Sequence, residues 1–170
     1  MVRRRKSNLP KWRYEFDCRK CDNIREVHDP RKGRDGDYSG TIIAVIPAAL
    51  RAVLKSVTKY TDNTANGGGS TASYITATTD YFFLLSEFEV FGSISYGNTN
   101  EKNKQAQYAY YSAGNSKIKY KHNGTSTAAF WWLRSPRAGN SYHFVFVSTD
   151  GTVNNYSADC SLGFAPGFCV

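Results

Sequence analysis

Phe130-Trp131-Trp132-Leu133-Arg134-Ser135-Pro136 is the most distinctive stretch of this sequence, because aromatic and apolar residues run together until Pro136 ends the run. From there to the C-terminus the residues predict short strands joined by tight turns. Phe144 to Val147 is a strand candidate, Asp150-Gly151 is a hairpin turn signal, and Gly163 to Val170 is predicted to be a terminal strand. The large apolar residues of this region are assigned to the core: Trp131, Trp132, Phe144, Val147, Phe164 and Phe168.

Two segments upstream carry helix signals. Between residues 42 and 60, Pro47 suits the first turn of a helix. The residues after it follow the i, i+3, i+4, i+7 spacing of a core-facing helix: Leu50, Val53, Leu54 and Val57. Gln105 to Ala113 is predicted to be a further helix that ends at Gly114 or Asn115.

A short helix with clear boundary signals lies between these two segments. Tyr81 to Leu85 is an apolar run suited to a buried strand, and Ser86 then starts a capping box with Glu89. Gly92 is expected to end the helix. Glu87 and Glu89 are two residues apart and diverge by about 200° on a helix. We therefore expect them to cap the helix and face solvent, and not to act as a catalytic carboxylate pair.

The positive charge of the chain is concentrated at its N-terminus. The formal net charge is +8, and most of the excess lies within residues 1–35. Residues 1–37 are interpreted as a basic lead-in, and residues 38–170 as the folded domain. Nucleic-acid binding is one open function for the lead-in, since Trp12 and Tyr14 interleave with its cations. We find no secretory signal peptide and no apolar run long enough to span a membrane.

The cysteines and histidines do not predict a cofactor or a catalytic centre. Cys18 and Cys21 form half of a zinc ribbon, and a fourth ligand beside His28 is not evident. A disulfide between Cys160 and Cys169 stays open, because it depends on how close the chain brings them. His122 and His143 lack a nucleophile motif nearby, and the zinc-hydrolase motif is missing. The sequence therefore favours a binding protein over an enzyme, without cofactor or metal.

Several separate pieces of the chain resemble one group of proteins in the same order: Pro47-Ala48-Ala49-Leu50, Thr58-Lys59-Tyr60-Thr61, Phe83 to Gly92, Trp131 to Pro136 and Gly163 to Val170. They are similar to lectin-like domains of gut bacteria and their phages, some of which resemble the variable proteins of diversity-generating retroelements. The resemblance implies an α+β, C-type-lectin-like fold with two main helices, a small twisted antiparallel sheet and extensive ordered loops. It also implies that the N-terminal and C-terminal strands pair at the base.

The resemblance further implies that the C-terminal segment 137–161 is diversified. Those retroelements mutate adenines, so diversified Asn codons never become Lys, Glu, Gln, Met or Trp, and none of these residues occurs from Arg137 to Val170. Tyr, Ser, Asn and Arg are also the residues on which binding loops rely. The expected ligand-binding residues are Arg137, Ser141, Tyr142, His143, Phe146, Ser148, Asn155, Tyr156, Asp159 and Cys160.

The sequence thus predicts recognition of a protein or glycan on a cell surface, by a phage virion or from a bacterial surface. The calcium-binding motifs of sugar-binding lectins are missing, so a calcium-independent carbohydrate-binding module is the main alternative. Sugar stacking on Tyr142 or Tyr156 would be its mechanism. An oligomer is possible, because exposed aromatic residues also form subunit interfaces.

Overall fold

A computed structural model describes residues 46–63 and 70–170, and the lead-in 1–37 with Cys18 and Cys21 lies outside them. The described strands are β1 Val57–Asp62, β2 Ile75–Asp80, β3 Lys119–Lys121, β4 Gly124–Ala129, β5 Trp131–Pro136, β6 His143–Val147 and β7 Val153–Ser157. The described α-helices are α1 Ala48–Arg51, α2 Glu87–Phe91 and α3 Ala109–Ser112, and Ala72–Tyr74 and Thr99–Asn103 form 3₁₀ turns.

The strands form three small antiparallel sheets. β1 pairs with β2, β3 pairs with β4, and β5, β6 and β7 form a three-stranded sheet in that order. The longest α-helix in the described residues has five residues. The prediction of an α+β fold with two main helices is therefore wrong, and the described part of the chain is β-rich.

The first predicted helix fails because its second half enters a strand. α1 covers only Ala48–Arg51, its N-cap Pro47 offers no side-chain hydrogen bond, and Val53 is exposed. Four of the first five residues of β1 are β-branched or aromatic, and the strand pairs with β2 in an unbroken six-residue register. A ladder of that length satisfies more backbone groups than one uncapped helical turn, so long-range pairing overrides the local helical spacing.

The second predicted helix is shortened by contacts that the sequence does not reveal. Within Gln105 to Ala113 only Ala109–Ser112 is α-helical. The Gln105 amide donates to the carbonyl oxygen of Tyr60, and the N–H of Tyr108 donates to the carbonyl oxygen of Glu89 at 3.0 Å. These bonds to β1 and α2 hold the start of the segment in an extended path.

The α2 region matches its predicted boundaries but not its predicted exposure. Ser86 and Glu89 form the capping box, and Gly92 ends the helix at φ 68°. The preceding apolar run is buried at Phe83 but forms only an isolated bridge to the C-terminal segment, not a strand. Glu87 and Glu89 are both buried, so the expectation that they face solvent is wrong. The Glu87 carboxylate accepts the backbone N–H groups of residues 95–97, which fixes the loop after α2.

The main core lies between α2, α3 and the inner side of the three-stranded sheet. Its buried members are Val90, Tyr111, Trp131, Leu133, Val145 and Val147. The prediction of a core position is confirmed for Trp131, Trp132 and Val147. It is wrong for Phe168, which is exposed, and Phe144 is only partly buried. Successive side chains of a strand point to opposite sides, so Trp131 and Leu133 lie on the same side of β5, which faces the core.

The C-terminal segment ties three parts of the chain together without becoming a strand. Gly163 bridges to Trp131, Gly167 bridges to Phe83, and Cys169 bridges to Lys55. Within residues 46–63 and 70–170, the predicted pairing of terminal strands is found only as the last bridge, in which the N–H of Lys55 donates to the carbonyl oxygen of Cys169 at 2.9 Å. A β-carbon added at Gly163 would lie 2.7 Å from the carbonyl oxygen of Phe130, and this close approach requires glycine.

Arg134 links β5 to β1 and to α2. Its guanidinium donates to the Thr61 hydroxyl and to the carbonyl oxygen of Leu84, and pairs with the Glu89 carboxylate. Lys59 on β1 pairs with the other oxygen of Glu89 at 2.9 Å. Burial acts to raise the pKa of Glu89, but the hydrogen bond and charge of Arg134 and the hydrogen bonds from Ser86 and Lys59 together outweigh it, so that pKa is lowered. The ion pair is therefore stable at neutral pH.

Ser135, the next residue, connects two further buried carboxyl groups. Its hydroxyl donates to Glu101 at 2.6 Å and accepts the N–H of Glu87 at 2.9 Å. The other oxygen of Glu101 accepts the N–H of Asp62. Burial raises the pKa of Glu101 to about 7, although the hydrogen bond from Ser135 and the charge of Arg134 act to lower it.

Gly163→Ala should lower the free energy of unfolding by roughly 1–3 kcal/mol, because the new methyl group meets a hydrogen-bonded carbonyl that cannot easily retreat. Gly124→Ala is the matched control, since its β-carbon would meet nothing closer than 3.5 Å. We expect it to change stability by less than about 0.5 kcal/mol. Urea unfolding monitored by tryptophan fluorescence measures both, and equal effects would contradict the close-approach explanation.

Glu101→Gln should change how stability depends on pH. Because the folded pKa of Glu101 is raised, its protonated form stabilises the fold below about pH 4.5, and this contribution is lost as the pH rises through about 7. The stability of the variant relative to wild type should therefore improve by roughly 1–3 kcal/mol between pH 5 and pH 8.

Denaturant unfolding at several pH values measures this shift. Asp159→Asn is the control, because the exposed Asp159 has a lowered pKa and does not titrate in that range. Parallel stability curves for wild type and Glu101→Gln would show that Glu101 is ionised throughout.

Candidate functional site

The β6–β7 hairpin presents two faces with different environments. Opposite residues on antiparallel strands share a face, so Val145 lies beside Asn155 and Val147 beside Val153 on the inner face. Phe144 lies beside Tyr156 on the outer face. The two inner valines are fully buried, which anchors the hairpin to the core while its open end, at residues 142–143 and 157–158, reaches the surface.

Five of the predicted residues meet at this open end and form what we call the polar cluster: Arg137, Tyr142, His143, Asn155 and Asp159. Asn155 Oδ1 lies 2.9 Å from His143 Nδ1 and accepts a hydrogen bond from Arg137 Nη1 at 3.3 Å. The Tyr142 ring packs edge-on against the His143 ring, with centroids 4.9 Å apart. The cluster therefore places donors, acceptors and an aromatic ring side by side.

The charges of the polar cluster are of both signs. The Ser157 hydroxyl holds the pKa of Asp159 below its usual range, with smaller contributions from the Cys160 thiol and the charge of His143. Arg137 supplies the positive charge on the other side of Asn155. A ligand with donors and acceptors in alternation would find complementary partners here, and changes in Asp159 or Arg137 would alter its preferred charge.

The outer side of the sheet carries a second cluster, the aromatic face, formed by Phe130, Trp132, Phe146 and Tyr156. Phe146 lies at its centre, with edge-on contacts to the other three rings at centroid distances of 5.5–6.5 Å. Trp132 and Phe146 are buried, whereas Phe130 and Tyr156 are exposed. The Trp132 indole nitrogen is buried and has no hydrogen-bond partner among the described residues.

The structure therefore does not bring all ten predicted residues together. Tyr156 and Phe146 belong to the aromatic face, and Phe146 is buried there, so a substitution would disturb packing. Ser148 lies at the turn end of the hairpin, where its N–H donates to the carbonyl oxygen of Thr152. Ser141 is exposed beside Tyr142, and Cys160 lies next to Asp159, with its Sγ 3.7 Å from Asp159 Oδ1.

A cleft that sequence reasoning missed lies on the side of β1 and α2. Its cavity volume is about 350 Å³, and it is lined by residues 58–60, 104–109, Glu89 and Arg134. Lys59 in the cleft donates to Glu89 and to the Tyr108 hydroxyl. The contributing segments are up to 76 residues apart in the chain. Their only sequence signal is that residues 58–60, Glu89 and Arg134 lie in the distinctive pieces that carry the family resemblance.

The described cysteine, histidine and carboxylate side chains are not arranged for a disulfide or a metal site. No disulfide joins Cys160 to Cys169, and residues 46–63 and 70–170 contain no group of His, Cys, Asp and Glu side chains suited to a metal ion. No helix among these residues has the length and apolar character to cross a membrane. The zinc hypothesis for Cys18 and Cys21 and the nucleic-acid hypothesis for the lead-in concern residues outside the described ranges.

Comparison with known proteins assigns a family but not an activity. Neither the curated proteins nor the solved structures contain a match to this chain. A family model described as a domain of unknown function, DUF6273, matches residues 39–170. This range contains the three sheets, the polar cluster and the cleft, and the chain belongs to the DUF6273 family.

Proposed function

We propose that this domain is a binding protein that recognises a protein or glycan on a cell surface through the polar cluster. Binding requires no chemical step, cofactor or metal. We propose a virion or a bacterial cell surface as the place where the domain works. The observation that carries the proposal is the combination of an exposed side chain and a fixed backbone at Tyr142.

Tyr142 is held in place while its ring stays accessible. Its N–H donates to Asn140 Oδ1 at 3.0 Å, and its carbonyl oxygen accepts the N–H of Ala158 at 2.9 Å. The side chain is nevertheless 60% exposed. A tyrosine in this state gives a large contact area at little entropic cost on binding, because its backbone is already ordered.

The arrangement of the hairpin also supports diversification at the polar cluster. Val145 and Val147 hold the hairpin by burial, so substitutions at Arg137, Tyr142 or Asp159 remove little packing. The absence of Lys, Glu, Gln, Met and Trp from residues 137–170 supports the same idea. We therefore propose that members of this family vary the polar cluster and keep the valines.

Calcium-independent sugar binding is the second candidate function. Tyr156 is 52% exposed on the aromatic face, and the neighbouring Phe130 ring is also exposed. Sugar rings stack on exposed aromatic side chains, and two such rings on the aromatic face offer an extended platform. This candidate differs from the first because it depends on Tyr156 and not on the polar cluster.

Tyr142→Ala and Arg137→Ser should each reduce ligand binding at least tenfold and shift the melting temperature by less than about 3 °C, because both side chains are exposed. Tyr120→Ala is the matched control, since that tyrosine is 54% exposed on β3 and belongs to neither the polar cluster nor the aromatic face. Glycan arrays and flow cytometry with labelled protein on bacterial cells measure binding. Loss of binding in Tyr156→Ala alone would favour the sugar-binding candidate. A large shift of the melting temperature in Tyr142→Ala would contradict a purely surface role for Tyr142.

DNA sequencing beside the gene tests diversification directly. We expect a near-identical copy of the codons for residues 137–170, together with a reverse-transcriptase gene. The two copies should differ where the template has adenine, at codons for the polar cluster and not at Val145 or Val147, which are fully buried. Differences concentrated at the buried valines, or the absence of both genetic features, would refute diversification and leave a binding domain with a constant surface.

A further inference from the structure

The cleft between β1, α2 and the loop at residues 104–109 has the size of a small-molecule site. Its volume of about 350 Å³ lies at the lower end of the range of ligand pockets, which suits a ligand no larger than a monosaccharide derivative. None of the ten predicted binding residues lines it. It is therefore separate from the polar cluster, and its occupancy does not depend on the proposed function.

The charged residues that line the cleft leave an excess of positive charge. Three cations, Lys59, Lys104 and Arg134, face the single carboxylate of Glu89. Glu89 pairs with both Lys59 and Arg134, so it compensates one of the three charges. Charge in a concave, partly desolvated site acts more strongly than the same charge on an open surface. The cleft thus favours an anionic ligand.

Two groups at the mouth of the cleft are available to bind an anion. The Tyr108 oxygen accepts a hydrogen bond from Lys59 Nζ at 2.7 Å, which leaves the hydroxyl proton to donate outward. Lys104 Nζ lies 5.8 Å from the centroid of the Tyr60 ring and pairs with no carboxylate of the described residues. Arg134, in contrast, already donates to Thr61, Leu84 and Glu89, so its role is to hold the wall of the cleft.

We propose that this cleft binds a small ligand with one oxyanion group, a carboxylate or a phosphate, on a polar body of monosaccharide size. The oxyanion binds Lys104 Nζ and the Tyr108 hydroxyl, with Lys59 behind them. The Tyr60 ring contributes an aromatic wall for the body of the ligand. Charge-assisted hydrogen bonds from an ammonium group and a hydroxyl are among the stronger polar contacts in proteins.

Isothermal titration calorimetry with the full chain tests the proposal, using glucuronate, glucose 6-phosphate, glucose and inorganic phosphate at constant ionic strength. We expect saturable binding of glucuronate or glucose 6-phosphate, and no binding of neutral glucose. Binding of only one of the two identifies the oxyanion as carboxylate or phosphate. Binding of inorganic phosphate alone, or no saturable binding up to about 10 mM, which corresponds to less than about 3 kcal/mol, would overturn the proposal.

Variants locate the binding in the cleft. Lys104→Gln should weaken binding roughly tenfold, the loss of about one charge-assisted hydrogen bond. Lys102→Gln is the matched control, because it removes the same charge from an exposed lysine of the preceding 3₁₀ turn that does not line the cleft. Equal losses in both variants would show that only the net charge attracts the anion and would overturn the assigned site.

Tyr108→Phe separates the hydroxyl donor from the charge. It should weaken oxyanion binding several-fold while leaving the net charge unchanged, and thermal unfolding of each variant confirms that it is folded. Unchanged binding in both Tyr108→Phe and Lys104→Gln would place any observed anion binding outside this cleft and overturn the proposal. Because the polar cluster is untouched, cell-surface binding measured on the same variants reports separately on the proposed function.

Discussion

The buried ion pair between Arg134 and Glu89 is the interaction on which the arrangement of this domain depends. It joins the middle of β5 to helix α2, and Lys59 extends the pair to β1. Two charges removed from water are costly unless hydrogen bonds satisfy their remaining atoms. Arg134 meets that condition through Thr61 and the carbonyl oxygen of Leu84, so the pair fixes the relative position of three elements that share no sheet.

The neighbouring residue, Ser135, extends this polar linkage without adding charge. Its hydroxyl connects the N–H of Glu87 to the carboxyl group of Glu101, while the Glu87 carboxylate holds the loop at residues 95–97. Strand β5 therefore buries Trp131 and Leu133 in the core, whereas the next two residues, Arg134 and Ser135, form polar contacts. Helix α2 and strand β5, which lie about 45 residues apart in the sequence, are thus held together by buried polar contacts.

These buried contacts lie apart from the surface at which we propose recognition. The polar cluster lies beyond the buried valines of the β6–β7 hairpin, so its side chains can change without opening the core. The cleft depends on the ion pair, because Arg134 and Glu89 form part of its wall. The two surfaces therefore differ physically: one tolerates substitution, and the other is tied to the interaction that holds the elements together.

The sequence alone determined the features that rest on neighbouring residues. The capping box of Ser86 and Glu89, the helix end at Gly92 and the turn at Asp150-Gly151 were predictable, because each depends on a few adjacent side chains. The strand at residues 144–147 was also predictable, since its apolar run is continuous. At the candidate site the sequence named the members of the polar cluster, but it could not separate them from Phe146, whose burial depends on rings from other strands.

Tertiary structure decided what depends on partners far along the chain. Val57 completes the helical spacing that starts at Leu50, yet it begins a strand because β2 offers residues 57–62 a complete ladder of hydrogen bonds. Glu89 was expected in solvent, yet it is buried because Arg134 and Lys59 neutralise it. The cleft arises from the same long-range contacts, and no local pattern could predict it, because charge pairing and burial are set by which segments the fold brings together.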